Sequence, residues 1–226
     1  MPLWIPSIKM NYTTILWDLD GTIVDSGPGI FDTFRKTFDA MGIEQPTEER
    51  LRTFVGPPLR YTFSQHMGFD EELTDKALET YKHFYHRGGG LNASMYPGVL
   101  DLIARSKAAG RTNSLATSKA LAGVQLIGEH YDFLHLFDFL GTADPAVDRF
   151  AKTDVIAYAL DGLRAQNADL SRIILIGDRI HDIEGAREHG IEVALVQWGY
   201  GSTEEWAEAD YSVANTDELA ALLGLA

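Results

Sequence analysis

The chain of 226 residues contains no cysteine, and this absence excludes three kinds of chemistry. Disulfide bonds, thiolate catalysis and cysteine-ligated zinc sites all need the missing side chain. Long apolar runs are missing as well, since no segment approaches the roughly 20 residues of a membrane-spanning helix. The segment from Met1, including the alternative natural start Met10, lacks the apolar core of a signal peptide. We therefore expect a cytoplasmic protein without a membrane partner.

Basic residues are scarce: 19 lysines and arginines stand against 33 acidic residues, which gives a net charge of -14. The sequence shows no basic patch of the kind that nucleic-acid-binding proteins use, so we expect no nucleic-acid partner. An acidic surface also repels anions at long range. An anionic substrate would therefore need local groups, such as a metal ion, a lysine or backbone N–H groups. The oligomeric state is not indicated by the sequence.

What is present is an alternation of short apolar strands with helices. A strand pattern at 14–19 is followed by an all-helical stretch from about 25 to 90, after which strands and helices alternate. This order predicts an α/β fold, in which a Rossmann-like, mostly parallel sheet carries an inserted all-helical cap domain. The predicted catalytic core comprises residues 1–24 and 91–226, and the predicted cap comprises residues 25–90.

Two carboxylates, Asp18 and Asp20, come directly after the first predicted strand. Residues two apart on an extended chain project to the same side, so these carboxylates would repel each other. A divalent cation relieves such repulsion, and a hard cation held by carboxylates, water and phosphate indicates Mg²⁺. The alternative is an ordinary strand-to-turn corner, because Asp20-Gly21 is a common turn pair.

A second acidic pair, Asp178 and Asp182, follows another apolar strand. Their spacing of four residues, across a turn that begins a helix, brings both side chains to one face. Asp178 comes directly after the strand and is placed to complete a metal site. Asp182 is expected to orient water or neighbouring side chains, or simply to cap the helix.

Groups suited to phosphate binding follow a third strand and begin a later helix. Thr117 and Ser118 offer hydroxyl and backbone N–H groups near a helix start, although a plain N-cap is the alternative. Lys152 stands at a helix start, where a lysine is electrostatically disfavoured, and this invites a functional explanation. Lys119 is a second candidate for the lysine that balances the phosphate charge.

Four segments in this order resemble the four motifs of the haloacid dehalogenase superfamily of phosphatases: WDLDGTIVDS, LATSK, Lys152 and IILIGDRIHDIEGA. The resemblance covers nearly the whole chain from Thr14. The helical stretch between the first two motifs is similar to the helical-cap branch. GDRIHDIEGA followed by WGYGS looks like the phosphoglycolate phosphatase-like subgroup, some of whose members are described as 5'-nucleotidases.

The resemblance implies a mechanism at the matching positions. Asp18 would attack phosphorus to form an aspartyl-phosphate, and Asp20 would act first as an acid and then as a base. Mg²⁺ would be held by the Asp18 carboxylate, the Asp20 backbone carbonyl and Asp178. The phosphate oxygens would be bound by Thr117, Ser118, Lys152 and Gly21.

The expected substrate is a small-molecule phosphate ester, with phosphoglycolate-like esters as the leading class. A 5'-nucleotidase and a phosphomutase are alternatives on the same chemistry, and a catalytically silent binding protein is the non-enzymatic alternative. The cap is expected to decide the substrate. Within it, Arg60 is either a partner for a substrate carboxylate or second phosphate, or a surface arginine.

Overall fold

The computed structural model describes residues 11–226, so both Met1 and Met10 lie outside the described residues. The described chain forms eight strands: β1 (Thr14–Trp17), β2 (Val24–Asp25), β3 (Ser94–Met95), β4 (Thr112–Ala120), β5 (Phe139–Ala143), β6 (Ile173–Gly177), β7 (Glu192–Val196) and β8 (Tyr211–Val213). Six of them form a parallel sheet in the order β5-β4-β1-β6-β7-β8. The remaining two, β2 and β3, pair antiparallel as a short ribbon.

Residues 11–226 also form ten α-helices: α1 (Gly27–Met41), α2 (Glu48–Arg52), α3 (Leu59–Tyr61), α4 (Glu71–His86), α5 (Val99–Ala108), α6 (Leu121–His130), α7 (Lys152–Ala165), α8 (Ile180–Glu188), α9 (Thr203–Glu208) and α10 (Thr216–Leu222). The short α3 continues directly into one π-helical segment, Thr62–His66. Helices α1 to α4 lie in sequence between the two strands of the ribbon. The predicted fold class, a mostly parallel α/β sheet with inserted helices, is confirmed.

The central strands are apolar on both faces because helices cover both sides of the sheet. Ile15 and Trp17 of β1 pack into one buried cluster, whereas Leu16 packs into the cluster on the opposite face. A strand buried on both faces is a continuous apolar run rather than an alternating one. Polar functional residues are therefore expected at the ends of such strands, and these ends lie along one edge of the sheet.

Three neighbouring strands bring the predicted site residues to one edge. In the sheet, Trp17 of β1 pairs with Leu115 of β4 on one side and with Ile176 of β6 on the other. Because the three strands are parallel, the residues that follow them meet at the same carboxyl edge. Asp18 and Asp178 follow β1 and β6, and Thr117 stands near the C-terminal end of β4, so all three lie at this edge of the sheet.

The helical block α1 to α4 has an apolar core of its own. The ring of Phe34 lies 4.8 Å from Tyr81, 5.0 Å from Phe54 and 5.5 Å from Phe63, measured between ring centroids. The ends of these helices follow the expected chemistry: Thr47 caps α2 by accepting a hydrogen bond from the Arg50 N–H. The block therefore packs mainly on itself, and Leu126 of α6 and Tyr200 also pack against its core.

The ribbon of β2 and β3 is the connection that the sequence pattern does not indicate. Val24 pairs with Met95 and Asp25 pairs with Ser94, so the chain leaves for the helical block and returns from it at one place. Two-residue strands are too short for an alternating pattern to reveal them. None of the helices in residues 11–226 combines the length and the apolar character needed to cross a membrane.

Candidate active site

Three buried carboxylates form the centre of the site. Each of Asp18, Asp178 and Asp182 offers an oxygen, and these oxygens all lie within 4.8 Å of one another. Asp18 follows β1, Asp178 follows β6, and Asp182 occupies the first turn of α8. The Asp182 carboxylate accepts hydrogen bonds from the backbone N–H groups of Asp178 and Arg179, at 3.0 and 3.1 Å. These two hydrogen bonds therefore connect the first turn of α8 to the end of β6.

Lys152 supplies a buried positive charge to this cluster. Its Nζ lies 2.8 Å from Asp18 Oδ1 and 2.8 Å from Asp182 Oδ1, and it donates to the Ala116 carbonyl at 2.9 Å. Burial lowers the pKa of Lys152, but the adjacent Asp18 and Asp182 carboxylates raise it by more, so the side chain stays charged. The unfavourable position of a lysine at a helix start is thus explained by two carboxylate partners.

One lysine does not neutralise three carboxylates. Burial raises the pKa of Asp18 to about 6; the Lys152 charge opposes this rise, whereas the charges of Asp182 and Asp20 add to it. Burial, followed by the charges of Asp182 and Asp18, holds the pKa of Asp178 well above its usual range. Since deprotonation of both groups is disfavoured here, an additional positive charge at the site would stabilise the ionised carboxylates.

The position of Asp178 fits a divalent cation. Its Oδ2 accepts a hydrogen bond from the Tyr200 N–H at 2.7 Å, whereas its buried Oδ1 has no hydrogen-bond partner among residues 11–226. Gly21, at φ +83°, and Gly199 approach it so closely that an added Cβ would lie 2.2 and 2.5 Å from Oδ2. An unpartnered buried oxygen in an all-oxygen cluster suits a hard ion such as Mg²⁺.

Asp20 is held apart from this cluster by the second candidate lysine. Lys119 Nζ lies 2.9 and 2.8 Å from the two carboxylate oxygens of Asp20. The two lysines thus contact different aspartates: Lys152 contacts Asp18 and Asp182, and Lys119 contacts Asp20. The ring of Tyr85, from α4 of the helical block, lies 5.3 Å from Lys119 Nζ. Asp20 is therefore the carboxylate that faces the helical block.

Thr117 and Ser118, near the C-terminal end of β4, do not cap the following helix. Ala120 is the N-cap of α6, and the Thr117 hydroxyl instead accepts a hydrogen bond from the Lys119 N–H at 3.2 Å. The plain N-cap interpretation is therefore wrong. The Gly21 N–H donates to the Val24 carbonyl at 2.8 Å, so a phosphate would have to share this donor.

A cavity of about 710 Å³ leads to the site between the helical block and the sheet. Ser118 and Lys152 line it on the sheet side, and Arg60 and Tyr61 line it on the helical side. The Arg60 guanidinium forms an ion pair with Asp75, so its charge is already partly matched. Arg60 thus lies on the approach to the site but apart from the carboxylate cluster.

Comparison with known proteins agrees with this geometry. A family model for haloacid dehalogenase-like hydrolases matches residues 15–196. The chain belongs to the haloacid dehalogenase-like hydrolase family. The family and the hydrolase class predicted from the sequence are thereby confirmed.

Relatives of this hydrolase carry several names. The tyrosine-protein kinase PtkA of Mycobacterium tuberculosis is 34% identical over 215 residues, which is 93% of this chain and 72% of the relative. A 5'-nucleotidase of Pseudomonas aeruginosa is 32% identical over 87% of both chains. The crystal structure of a predicted phosphatase from Clostridium acetobutylicum has a TM-score of 0.85 and 32% identity, and covers 93% of this chain and 97% of its own.

Two residues of this haloacid dehalogenase-like hydrolase were not assigned from sequence. Arg179, next to Asp178, donates from Nε to Glu205 at 3.2 Å and from a terminal nitrogen to the Val55 carbonyl at 2.7 Å. It thereby joins the edge of the sheet to the helical block. Tyr200 holds Asp178 as described above. Tyr200 lies in the WGYGS segment that carries part of the family resemblance, but the sequence gives no indication of its contacts.

Proposed function

We propose that this hydrolase is a Mg²⁺-dependent phosphatase, which cleaves a small-molecule phosphate monoester through a covalent intermediate on Asp18. The observation that carries the proposal is the buried contact of Asp18 with Lys152, at 2.8 Å, inside a cluster of oxygen ligands. A carboxylate held in this way is oriented for attack, and the lysine beside it can bind the phosphate oxygens.

The reaction takes two steps. In the first, an Asp18 oxygen bonds to phosphorus while the bond to the ester oxygen breaks, and Asp20 gives its proton to the departing alcohol. In the second, Asp20 takes a proton from water, whose oxygen bonds to phosphorus while the Asp18–phosphorus bond breaks. Inorganic phosphate leaves, and both aspartates return to their initial states. The contacts of Lys119 with both Asp20 oxygens support an oriented carboxylate at this position.

The assigned ligands for Mg²⁺ are the carboxylates of Asp18 and Asp178 and the backbone carbonyl of Asp20. When bound, the ion supplies positive charge that offsets carboxylate repulsion and polarises the phosphoryl group. Lys152, Thr117 and Ser118 bind phosphate oxygens, and Asp182 holds Lys152 in place. The buried position of Lys152 between Asp18 and Asp182 supports this division of roles.

Residues 25–90 act as a cap that excludes water and selects the leaving group. A phosphoglycolate-like ester is one candidate. A nucleoside 5'-monophosphate is the second, because Tyr61 and Phe150 line the cavity and offer aromatic faces to a base. The carboxylates of Asp148, Glu184 and Glu188 line it too, and they disfavour an anionic leaving group.

A panel of phosphate esters tests both the class and the substrate. It comprises phosphoglycolate, nucleoside 5'-monophosphates and sugar phosphates, each assayed for phosphate release with and without Mg²⁺. Hydrolysis of at least one ester only with Mg²⁺ supports the phosphatase. A protein that releases no phosphate from any of them would instead be the catalytically silent binding protein.

We expect chelation to abolish hydrolysis and added Mg²⁺ to restore it. The same addition should raise the melting temperature, because a ligand at 100 times its Kd stabilises the folded state by about 2.7 kcal/mol. Asp178→Asn should lose both responses, since it removes the unpartnered oxygen Oδ1 or its charge. Calorimetric melting at several Mg²⁺ concentrations measures this, and full activity in chelator would refute the metal site.

We expect Arg179→Met to raise KM by about 10-fold or more while kcat changes less. The substitution removes the contact with Glu205 and the charged hydrogen bond to the Val55 carbonyl, and a charged hydrogen bond contributes about 1.5–3 kcal/mol. Arg187→Met is the matched control, because Arg187 contacts Glu208 and no residue of the helical block. Equal effects of both substitutions on KM would show that the bond to the cap has no special importance.

A further inference from the structure

Tyr200 contacts a predicted metal ligand through its backbone. Its N–H donates to Asp178 Oδ2 at 2.7 Å and leaves Oδ1 of the same carboxylate for the ion. The residue before it, Gly199, packs directly on the Asp178 side chain. A shift of this loop would therefore turn the Asp178 carboxylate or remove its only hydrogen bond from the loop.

The side chain of the same tyrosine is fixed to the start of the cap. Its hydroxyl donates to Asp25 Oδ1 and accepts from the Gly27 N–H at 2.7 Å. Asp25 ends strand β2 and Gly27 begins helix α1, so both bonds lie where the chain enters the helical block. The tyrosine ring also lies 6.5 Å from the ring of Phe31 and 5.9 Å from the Arg52 guanidinium.

We propose that Tyr200 is a positioning residue that couples the cap to the metal site, so that cap closure and Mg²⁺ binding favour each other. The inference rests on the proposed function for the identity of the ion. The physical link is short: one rigid side chain joins the cap entrance to the peptide group that orients Asp178. Such coupling is reciprocal, because what the cap does for the metal the metal must do for the cap.

A tyrosine that contacts the segment returning from the cap provides a matched control. There, the Tyr131 hydroxyl donates to the Ala93 carbonyl at 2.5 Å. Both tyrosines thus hold one side of the cap connection through a hydroxyl group. Only Tyr200 also contacts a carboxylate of the site, so Tyr200→Phe and Tyr131→Phe separate metal coupling from a general loosening of the cap.

The test is direct calorimetric titration of the full chain with Mg²⁺. Tyr200→Phe keeps the ring and the backbone N–H but removes one charge-assisted and one neutral hydrogen bond. We expect it to raise the Kd for Mg²⁺ about 10-fold, because such bonds contribute on the order of 1 kcal/mol each. Tyr131→Phe should leave this Kd within about twofold of the original. An unchanged Kd for Tyr200→Phe, or equal increases for both variants, would overturn the proposal.

A second variant reaches the same link from the cap side. Asp25→Ala removes the acceptor of the Tyr200 hydroxyl but leaves Asp178 and the backbone of the loop unchanged, and it should also weaken Mg²⁺ binding. The double variant should add little to either single change, because residues that share one link are not additive. Additive effects would refute the link. These titrations need no turnover, so failure of the phosphatase assays leaves their outcome separate.

Discussion

Replacing Asp18 by asparagine should reduce phosphate-ester hydrolysis by about 10⁴-fold or more, while the protein stays folded. Loss of a catalytic nucleophile has effects of this size, because the remaining groups bind substrate but cannot form the covalent bond. An amide is nearly isosteric with the carboxylate, and Lys152 keeps its second partner, Asp182, at 2.8 Å. Turnover of an aryl phosphate with Mg²⁺, in parallel with thermal melting, measures both parts.

The substitution also has a predicted effect on the stability of the folded protein. Replacing Asp18 leaves two ionisable carboxylates, Asp178 and Asp182, in a cluster that had three, so the repulsion within the cluster falls. Without divalent ions, the melting temperature of Asp18→Asn should therefore be equal to or above that of the original protein. A large fall would mean that the carboxylate is needed for the fold, and the loss of activity would then say nothing about nucleophilic attack.

A change at Asp20 distinguishes the loss of covalent catalysis from the loss of a metal ligand as the cause of inactivity in Asp18→Asn. Asp20→Asn keeps Asp18, the proposed nucleophile, and the backbone carbonyl at position 20. With an aryl phosphate, whose leaving group needs little protonation, it should still form the aspartyl-phosphate but hydrolyse it slowly. Mass spectrometry of the quenched protein should find the added phosphoryl group there and not in Asp18→Asn. Its absence from both variants would contradict the two-step reaction.

The layout of the site could be predicted from sequence because it depends on strand ends. Asp18 and Asp178 each follow an apolar run that reads as a strand buried on both faces. Parallel strands bring their carboxyl ends to one edge. The local spacing of Asp178 and Asp182 placed both at the start of one helix. These are short-range properties, and the structure retains them.

The connections between the site and the helical block could not be predicted, because they join residues distant in sequence. Tyr200 and Gly27 are 173 positions apart, and Arg179 and Val55 are 124 apart. No local pattern encodes such a pair. Asp20 illustrates the same limit: the spacing of two predicted a carboxylate beside Asp18, but β1 ends at Trp17, and Lys119 determines where the Asp20 carboxylate lies.

The sequence left two lysines as candidates for binding the phosphate, and their contacts now predict different consequences. Lys152 lies between Asp18 and Asp182 and is nearly fully buried. Lys119 contacts only Asp20 among the carboxylates, through both of its oxygens. We therefore propose that Lys152 binds the transferred phosphate, whereas Lys119 orients the carboxylate that is proposed to protonate the leaving group.

Lys152→Met should lower kcat/KM by about 10³-fold for all esters, the effect of removing one strong electrostatic donor. It should also weaken competitive inhibition by inorganic phosphate. In addition, it leaves two buried carboxylates without their cation, which costs about 3–5 kcal/mol of unfolding free energy in the absence of metal. Added Mg²⁺ should recover part of this stability, because it supplies charge to the same oxygens. Urea unfolding with and without Mg²⁺ measures this.

Lys119→Met should differ from Lys152→Met both in its inhibition by inorganic phosphate and in its hydrolysis of different esters. Inhibition by inorganic phosphate should stay within about twofold, since no contact with the phosphate site is lost. Hydrolysis of an alkyl ester should fall by about 10²-fold or more, the contribution of a positioned acid, whereas an aryl phosphate should be affected much less. Measuring both esters and phosphate inhibition for both variants distinguishes the two roles. If Lys119→Met weakened phosphate inhibition more than Lys152→Met, the assignment of the two lysines would have to be exchanged.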